Sequence, residues 1–205
     1  MNPLKKILSS RIIWRLSGIT YATAIVATNG HYLSYYDYRY AAEDSMSVLF
    51  RFDKEKTVLE FGCGPSKNLF AIADKINLGI GIDINGLYIR LAKRLSEKYG
   101  IKNLQFMKYN GIRFPDLDKV DIVFENGVFE RIDKPLVSYY IGQLKQRYLK
   151  DKGIMILYFL MERAKGTEFT RKLGDSSYVF WEDEEIKKLL ERNGLKLNLN
   201  SSFFT

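Results

Sequence analysis

Ten residues, Thr57-Val58-Leu59-Glu60-Phe61-Gly62-Cys63-Gly64-Pro65-Ser66, constrain this chain more than any other stretch. They read as a short buried strand that runs into a glycine turn and straight on into a helix, with a carboxylate just before the first glycine. Glycine at 62 and 64 tolerates positive φ and removes the Cβ, so main-chain N–H groups can approach a ligand closely. Pro65 suits the first helical turn, where no N–H is needed. A backbone of this shape holds a nucleotide-like ligand.

From position 57 onward, strand and helix patterns alternate. Strand-like runs fall at 57–61, 78–83, 104–109, 120–125 and 154–160. In 86–99, Leu87, Leu91, Leu95 and Tyr99 recur every fourth residue, and Gly100 is placed to end that helix. In 134–149 the apolar set is Val137, Tyr140, Ile141, Leu144 and Tyr148, with Asp133 as N-cap and Pro135 in the first turn. Glu182-Asp183-Glu184-Glu185 opens a last helix that Asn193-Gly194 closes. Apolar strands alternating with helices predict an α/β fold, a mostly parallel sheet covered on both faces. In such sheets the ligand sits beyond the carboxyl ends of the strands, near the point where strand order reverses.

A length of 205 residues predicts a single domain, 1–205, with residues 1–52 as an N-terminal helical cap and 53–205 as the core. Leu4, Ile7, Leu8, Ile12 and Leu16 mark an amphipathic helix with a basic outer face. It is a lid, a partner-binding helix or a membrane-surface helix. The apolar stretch 16–27 behind it is interrupted by Ser17, Gly18, Thr20 and Thr23 and is too short to span a bilayer, so no transmembrane segment is expected. One cysteine excludes an intrachain disulfide and, with one histidine, leaves too few soft ligands for a zinc site. No metal is expected, and the cysteine usage fits a cytoplasmic protein. The net charge of +8 admits an acidic partner, and it equally fits a surface of mixed charges.

Spacing chooses among the known glycine turns. A phosphate-cradling loop needs Gly-Lys-Ser/Thr, whereas Gly64 is followed by Pro65 and Ser66. A dinucleotide fingerprint would put Lys67 where a third glycine allows close helix packing. The stretch Val58-Leu59-Glu60-Phe61-Gly62-Cys63-Gly64-Pro65 instead resembles motif I of the class I S-adenosylmethionine-dependent methyltransferases. Gly81-Ile82-Asp83-Ile84 resembles their second signature, an acid ending the second strand. The resemblance covers about residues 40 to 200 and is strongest at 58–85. It implies a Rossmann-like fold, S-adenosyl-L-methionine as methyl donor and S-adenosyl-L-homocysteine as product.

Site residues follow from the same resemblance. Asp83 would accept hydrogen bonds from both ribose hydroxyls, and Glu60 would hold the ligand's ammonium. The backbone of Gly62, Cys63 and Gly64 would line the pocket. Ile84 stands next to Asp83, and Asn110, Gly111 and Ile112 stand where the family reads adenine. Glu125-Asn126-Gly127 opens the segment that small-molecule-type members place beside the methionine sulfur. The tyrosine-rich stretch 32–40 packs in the core or brings Tyr36 and Arg39 over the cofactor. Ser66 departs from the family's third glycine. After Gly194 there is room for one strand rather than the usual terminal hairpin, so the sheet is expected to be trimmed, with an edge open to a homodimer partner.

The acceptor is less constrained. Asn126 is followed by Gly127 and Val128, not by the Pro-Pro-aromatic run of adenine-methylating members. Candidate general bases are Glu130, His31 and Tyr36, with a structural histidine as the plainer reading of His31. Residues 163–181 would form a substrate lid. These features point to a small-molecule acceptor. RNA or an acidic protein is the alternative, through nine basic residues against four acids in 133–172. A protein that binds the cofactor without chemistry, as a regulator or assembly partner, is the third reading.

Overall fold

The computed structural model describes residues 54–162 and 178–196 of the chain. Its main sheet holds β1 (Thr57–Phe61), β2 (Leu78–Asp83), β3 (Leu104–Lys108), β4 (Val120–Glu125) and β5 (Leu149–Leu157), in the order β3-β2-β1-β4-β5. Every pairing is parallel. The chain therefore builds outward from β1 to β3, returns to the other side of β1 as β4, and leaves a crevice where the direction reverses.

The helices α1 (Lys67–Ile72), α2 (Gly86–Lys98), α3 (Lys134–Tyr148) and α4 (Asp183–Arg192) fill the connections and the end of the described chain. Side-chain alternation along the strands splits the core into two layers. Val58, Ile122 and Phe124 face one cluster with Leu69, Phe70 and Ile89 of α1 and α2. Leu59, Phe61 and Val123 face the other, with Val137, Ile141 and Leu144 of α3 and Leu189 of α4. Glycines on β2 permit close cover, since a Cβ on Gly81 would lie 2.8 Å from Cys63 Sγ and 2.9 Å from Phe106.

The helix boundaries have local causes. Asn85 Oδ1 accepts from Leu87 N–H at 3.0 Å to start α2, and Gly100 with φ +66 lets the chain leave it. Asp133 does precede α3, but its side chain makes no capping hydrogen bond. The start of α4 is steadied by the Glu182 N–H donating to the Glu185 carboxylate at 2.9 Å. Lys134 ties α3 to that same carboxylate at 2.6 Å.

The fifth strand differs from expectation. Leu149, the C-cap of α3, already pairs with Val120, and the register then jumps so that Ile122 faces Ile154. The strand ends at Leu157 rather than at 160. Leu160–Met161 (β6) pairs instead with Phe180–Trp181 (β7) in a separate two-stranded sheet. The expectations for 1–52, for most of 163–181 and for a strand after Lys196 fall outside the described residues.

Candidate active site

The glycine turn is shaped by two backbone positions. Gly62 has φ +69 and Gly64 φ +52, a region that L side chains rarely occupy. A Cβ on Gly62 would lie 2.0 Å from Val128 Cγ2, so the segment after β4 rests directly on the turn. Ser66, in the place of a third glycine, adopts the same left-handed conformation at φ 65 and ψ 40. Its hydroxyl donates to Glu60 at 3.4 Å.

The two acids of the motifs take different roles. Asp83 Oδ2 accepts from Gly64 N–H at 2.8 Å and Oδ1 from Asn85 N–H at 2.7 Å. Asp83 thus fixes the glycine turn and the entry to α2 together, while each oxygen keeps a second lone pair. Burial raises its pKa, against the pull of the Asn85 and Gly64 N–H groups. Glu60 is enclosed instead, accepting from the Asn68 amide at 2.6 Å, and burial pushes its carboxyl up to about 8. It braces the turn against the first turn of α1. The side chain of Cys63 is buried as well, consistent with its being present only for its small size and its backbone.

Beyond the carboxyl ends of β2 and β3 lie three large apolar side chains in the open. Ile84 is 60% exposed, Leu87 65% and Ile112 76%. Gly111, with φ +83, has open space where a Cβ would be. Asn110 Oδ1 accepts from Ile112 N–H at 3.0 Å and Arg113 N–H at 2.7 Å. Both lone pairs of that oxygen serve the turn itself. Tyr140 of α3 secures the same turn by donating to the Gly111 carbonyl at 2.9 Å.

Glu125, expected to meet the cofactor, is 0% exposed. Its Oε1 accepts from Val128 N–H at 2.6 Å and Phe129 N–H at 3.2 Å, and its Oε2 from Tyr158 N–H at 3.4 Å. It shapes the segment of Asn126 and Gly127 (φ +92) without reaching the crevice. Glu130 follows in that segment, its pKa raised by burial although Arg131 opposes the rise. The Glu130 carbonyl accepts from Val179 N–H at 2.8 Å, and the Arg131 guanidinium lies 4.2 Å over the Tyr178 ring and also donates to its hydroxyl. The chain returning at 178–181 is therefore docked on 130–131, a link that no motif in the sequence announces.

His31, Tyr36 and Arg39 lie outside the described residues. Of the basic residues in 133–172 that the structure describes, Lys134 pairs with Glu185 and Lys150 with Asp121. Lys145 donates to the carbonyls of Asn193 and Gly194 behind α4, and Arg147 donates to Gln143. No helix among the described residues is long and apolar enough to cross a membrane, and they contain no metal-ligating cluster.

A family model described as a methyltransferase domain matches residues 52–194. No curated protein sequence matches the chain significantly. Among solved structures, an S-adenosylmethionine-dependent methyltransferase from Aquifex aeolicus aligns at 22% identity and TM-score 0.59, covering 76% of this chain and 80% of its own. One from Thiobacillus denitrificans, in complex with S-adenosyl-L-homocysteine, aligns at 21% and 0.56, covering 75% and 63%. Magnesium protoporphyrin IX methyltransferase from Synechocystis PCC 6803, with S-adenosyl-L-homocysteine bound, aligns at 18% and 0.62, covering 84% and 80%.

Proposed function

The chain belongs to the class I S-adenosylmethionine-dependent methyltransferase family, and from that premise we propose that its acceptor is a small molecule received in the crevice beyond the carboxyl ends of the strands, beside the segment 126–131. The observation that carries the donor half of this site is the junction at Asp83. One carboxylate, 8% exposed, holds Gly64 N–H and Asn85 N–H and still has acceptor capacity for a pair of ribose hydroxyls. The exposed Ile84, Leu87 and Ile112 offer apolar faces suited to a planar base, and Gly111 keeps that side open. The residues present therefore fit the donor. When bound, S-adenosylmethionine supplies a methyl group on a sulfonium, open to in-line displacement, so positioning can provide much of the catalysis.

The acceptor wall is then built from 126–131 and 178–181. In this reading Glu130, whose pKa burial raises, takes the proton of an acceptor that arrives protonated. The small-molecule reading is supported by the use made of the basic residues. Lys134, Lys145, Arg147 and Lys150 each have a partner within the chain, at its surface, rather than being left to phosphates.

Calorimetric titration with S-adenosylmethionine, S-adenosylhomocysteine and NAD tests the donor site. The wild type is expected to bind both S-adenosyl ligands. Asp83→Ala removes a charge-assisted acceptor and frees two backbone donors, a loss of about 3 kcal/mol or on the order of 100-fold in affinity. NAD binding without any response to the S-adenosyl ligands would overturn the assignment. RNA binding that weakens steeply with salt would replace the small molecule by a nucleic acid.

A further inference from the structure

We infer that Glu125 is a positioning residue: from its buried place at the end of β4 it gathers the segment 126–131 and, through it, the returning chain 178–181 into one acceptor wall. The inference rests on the methyl-transfer reading for its purpose and on contacts alone for its geometry. The carboxylate receives N–H groups from two separate stretches, Val128 and Phe129 on one oxygen and Tyr158 on the other. It thereby binds the segment after β4 to the exit of β5.

Two routes lead onward. Along the backbone, Glu130 carbonyl holds Val179 N–H at 2.8 Å, and Arg131 stacks on Tyr178. Through the rings, Phe129 lies 6.1 Å from Phe159, and Phe159 lies 5.3 Å from Trp181 between centroids. Backward, the Val128 side chain sits against Gly62, so the same carboxylate registers the wall against the glycine turn.

An ionised carboxylate accepts all three N–H groups with capacity to spare, and a protonated one does so only with its O–H turned away from Tyr158 N–H. A glutamine puts its NH2 against at least one of those donors whichever way it is turned. Burial raises the carboxyl of Glu125 to about 8 against the three N–H groups. The titratable groups facing it are Glu130 from the segment and Tyr158 from the strand exit. The wall is thus expected to respond to pH through Glu125.

Amide hydrogen exchange on the full chain tests this, together with Trp181 emission in a Trp14→Phe background that leaves one tryptophan. Glu125→Gln is expected to speed exchange about tenfold or more in both 126–131 and 178–182, with α2 (Gly86–Lys98) unchanged. The pH response of Trp181 emission should vanish in that variant. Arg131→Lys should loosen 178–182 while 126–129 stays protected. If Glu125→Gln loosens 126–131 alone, or loosens the whole sheet equally, the inference is overturned. If that variant does not fold, wild-type exchange decides: the two segments changing together between pH 7 and 9 supports the inference, and independent changes overturn it. Titration of the wild type with S-adenosylhomocysteine separates a failure of the methyl-transfer reading, because exchange needs no ligand.

Discussion

At Gly62 two constraints coincide, a left-handed backbone and a side chain from another strand's exit. Gly62→Ala would place a methyl group 2.0 Å from Val128 Cγ2 at φ +69, so both terms oppose it. The backbone term costs about 1–2 kcal/mol and the overpacking about 1–3 kcal/mol. Chemical denaturation is expected to show a loss near the upper part of that range. Adding Val128→Ala should recover only the packing share, and full recovery would mean that the conformational term is negligible. Ser66 shows the other side of this constraint: the left-handed position after Pro65 is real, but a residue other than glycine fills it by hydrogen bonding to Glu60. The acids teach a similar lesson at this scale. Glu60, one residue before the end of β1, and Asp83 and Glu125, which end β2 and β4, read alike in sequence, yet only Asp83 combines partial access with spare acceptor capacity. Enclosure separates them, and enclosure depends on which neighbours the fold brings up.

At the scale of elements, the turn after β3 depends on α3. Tyr140 donates to the Gly111 carbonyl at 2.9 Å, and Tyr148 to the Pro115 carbonyl at 2.6 Å. Tyr140→Phe is expected to cost about 1 kcal/mol and to weaken S-adenosylhomocysteine binding by disordering Ile112. Unchanged affinity would remove that turn from the donor site. The elements themselves were largely legible in the sequence. Strands buried on both faces leave apolar runs such as Thr57–Phe61 and Val120–Glu125, and Gly100 and Asn193-Gly194 mark helix ends. The start of β5 was not, because Lys150, Asp151 and Lys152 interrupt the pattern and the pairing there is one residue wide before the register shifts. Gly153 is needed at that shift, where a Cβ would meet Leu149 at 2.7 Å and the Asp121 carbonyl at 3.0 Å. Nor was the docking of 178–181 legible, since a main-chain bond to Val179 leaves no trace in side-chain pattern.

For the whole molecule, buried ionisable groups set the dependence of stability on pH. Glu60 and Glu125 titrate near 8 in the folded chain against an ordinary 4.5. Between those values the folded state binds more protons than the unfolded one, so their contribution is full below about 4.5 and is lost as pH rises through 8. Lys67, lowered to about 7 from 10.5 by burial of its ammonium, acts oppositely above 7. The melting temperature is expected to fall from pH 5 to a minimum near 8 and then to recover in part. Glu60→Gln with Glu125→Gln should flatten the descending limb, and a curve rising steadily from pH 5 to 8 would contradict the account. Finally, α3 passes into β5 without an intervening loop, Tyr148 being the last helical residue and Leu149 the first paired one. The residues 150–153 that the register jump sets aside between Leu149 and Ile154 take up the length a loop would have supplied, so a change of length on the side of the sheet away from the crevice is absorbed by the edge strand β5 and leaves the pairing of β1 with β2 and β4 alone.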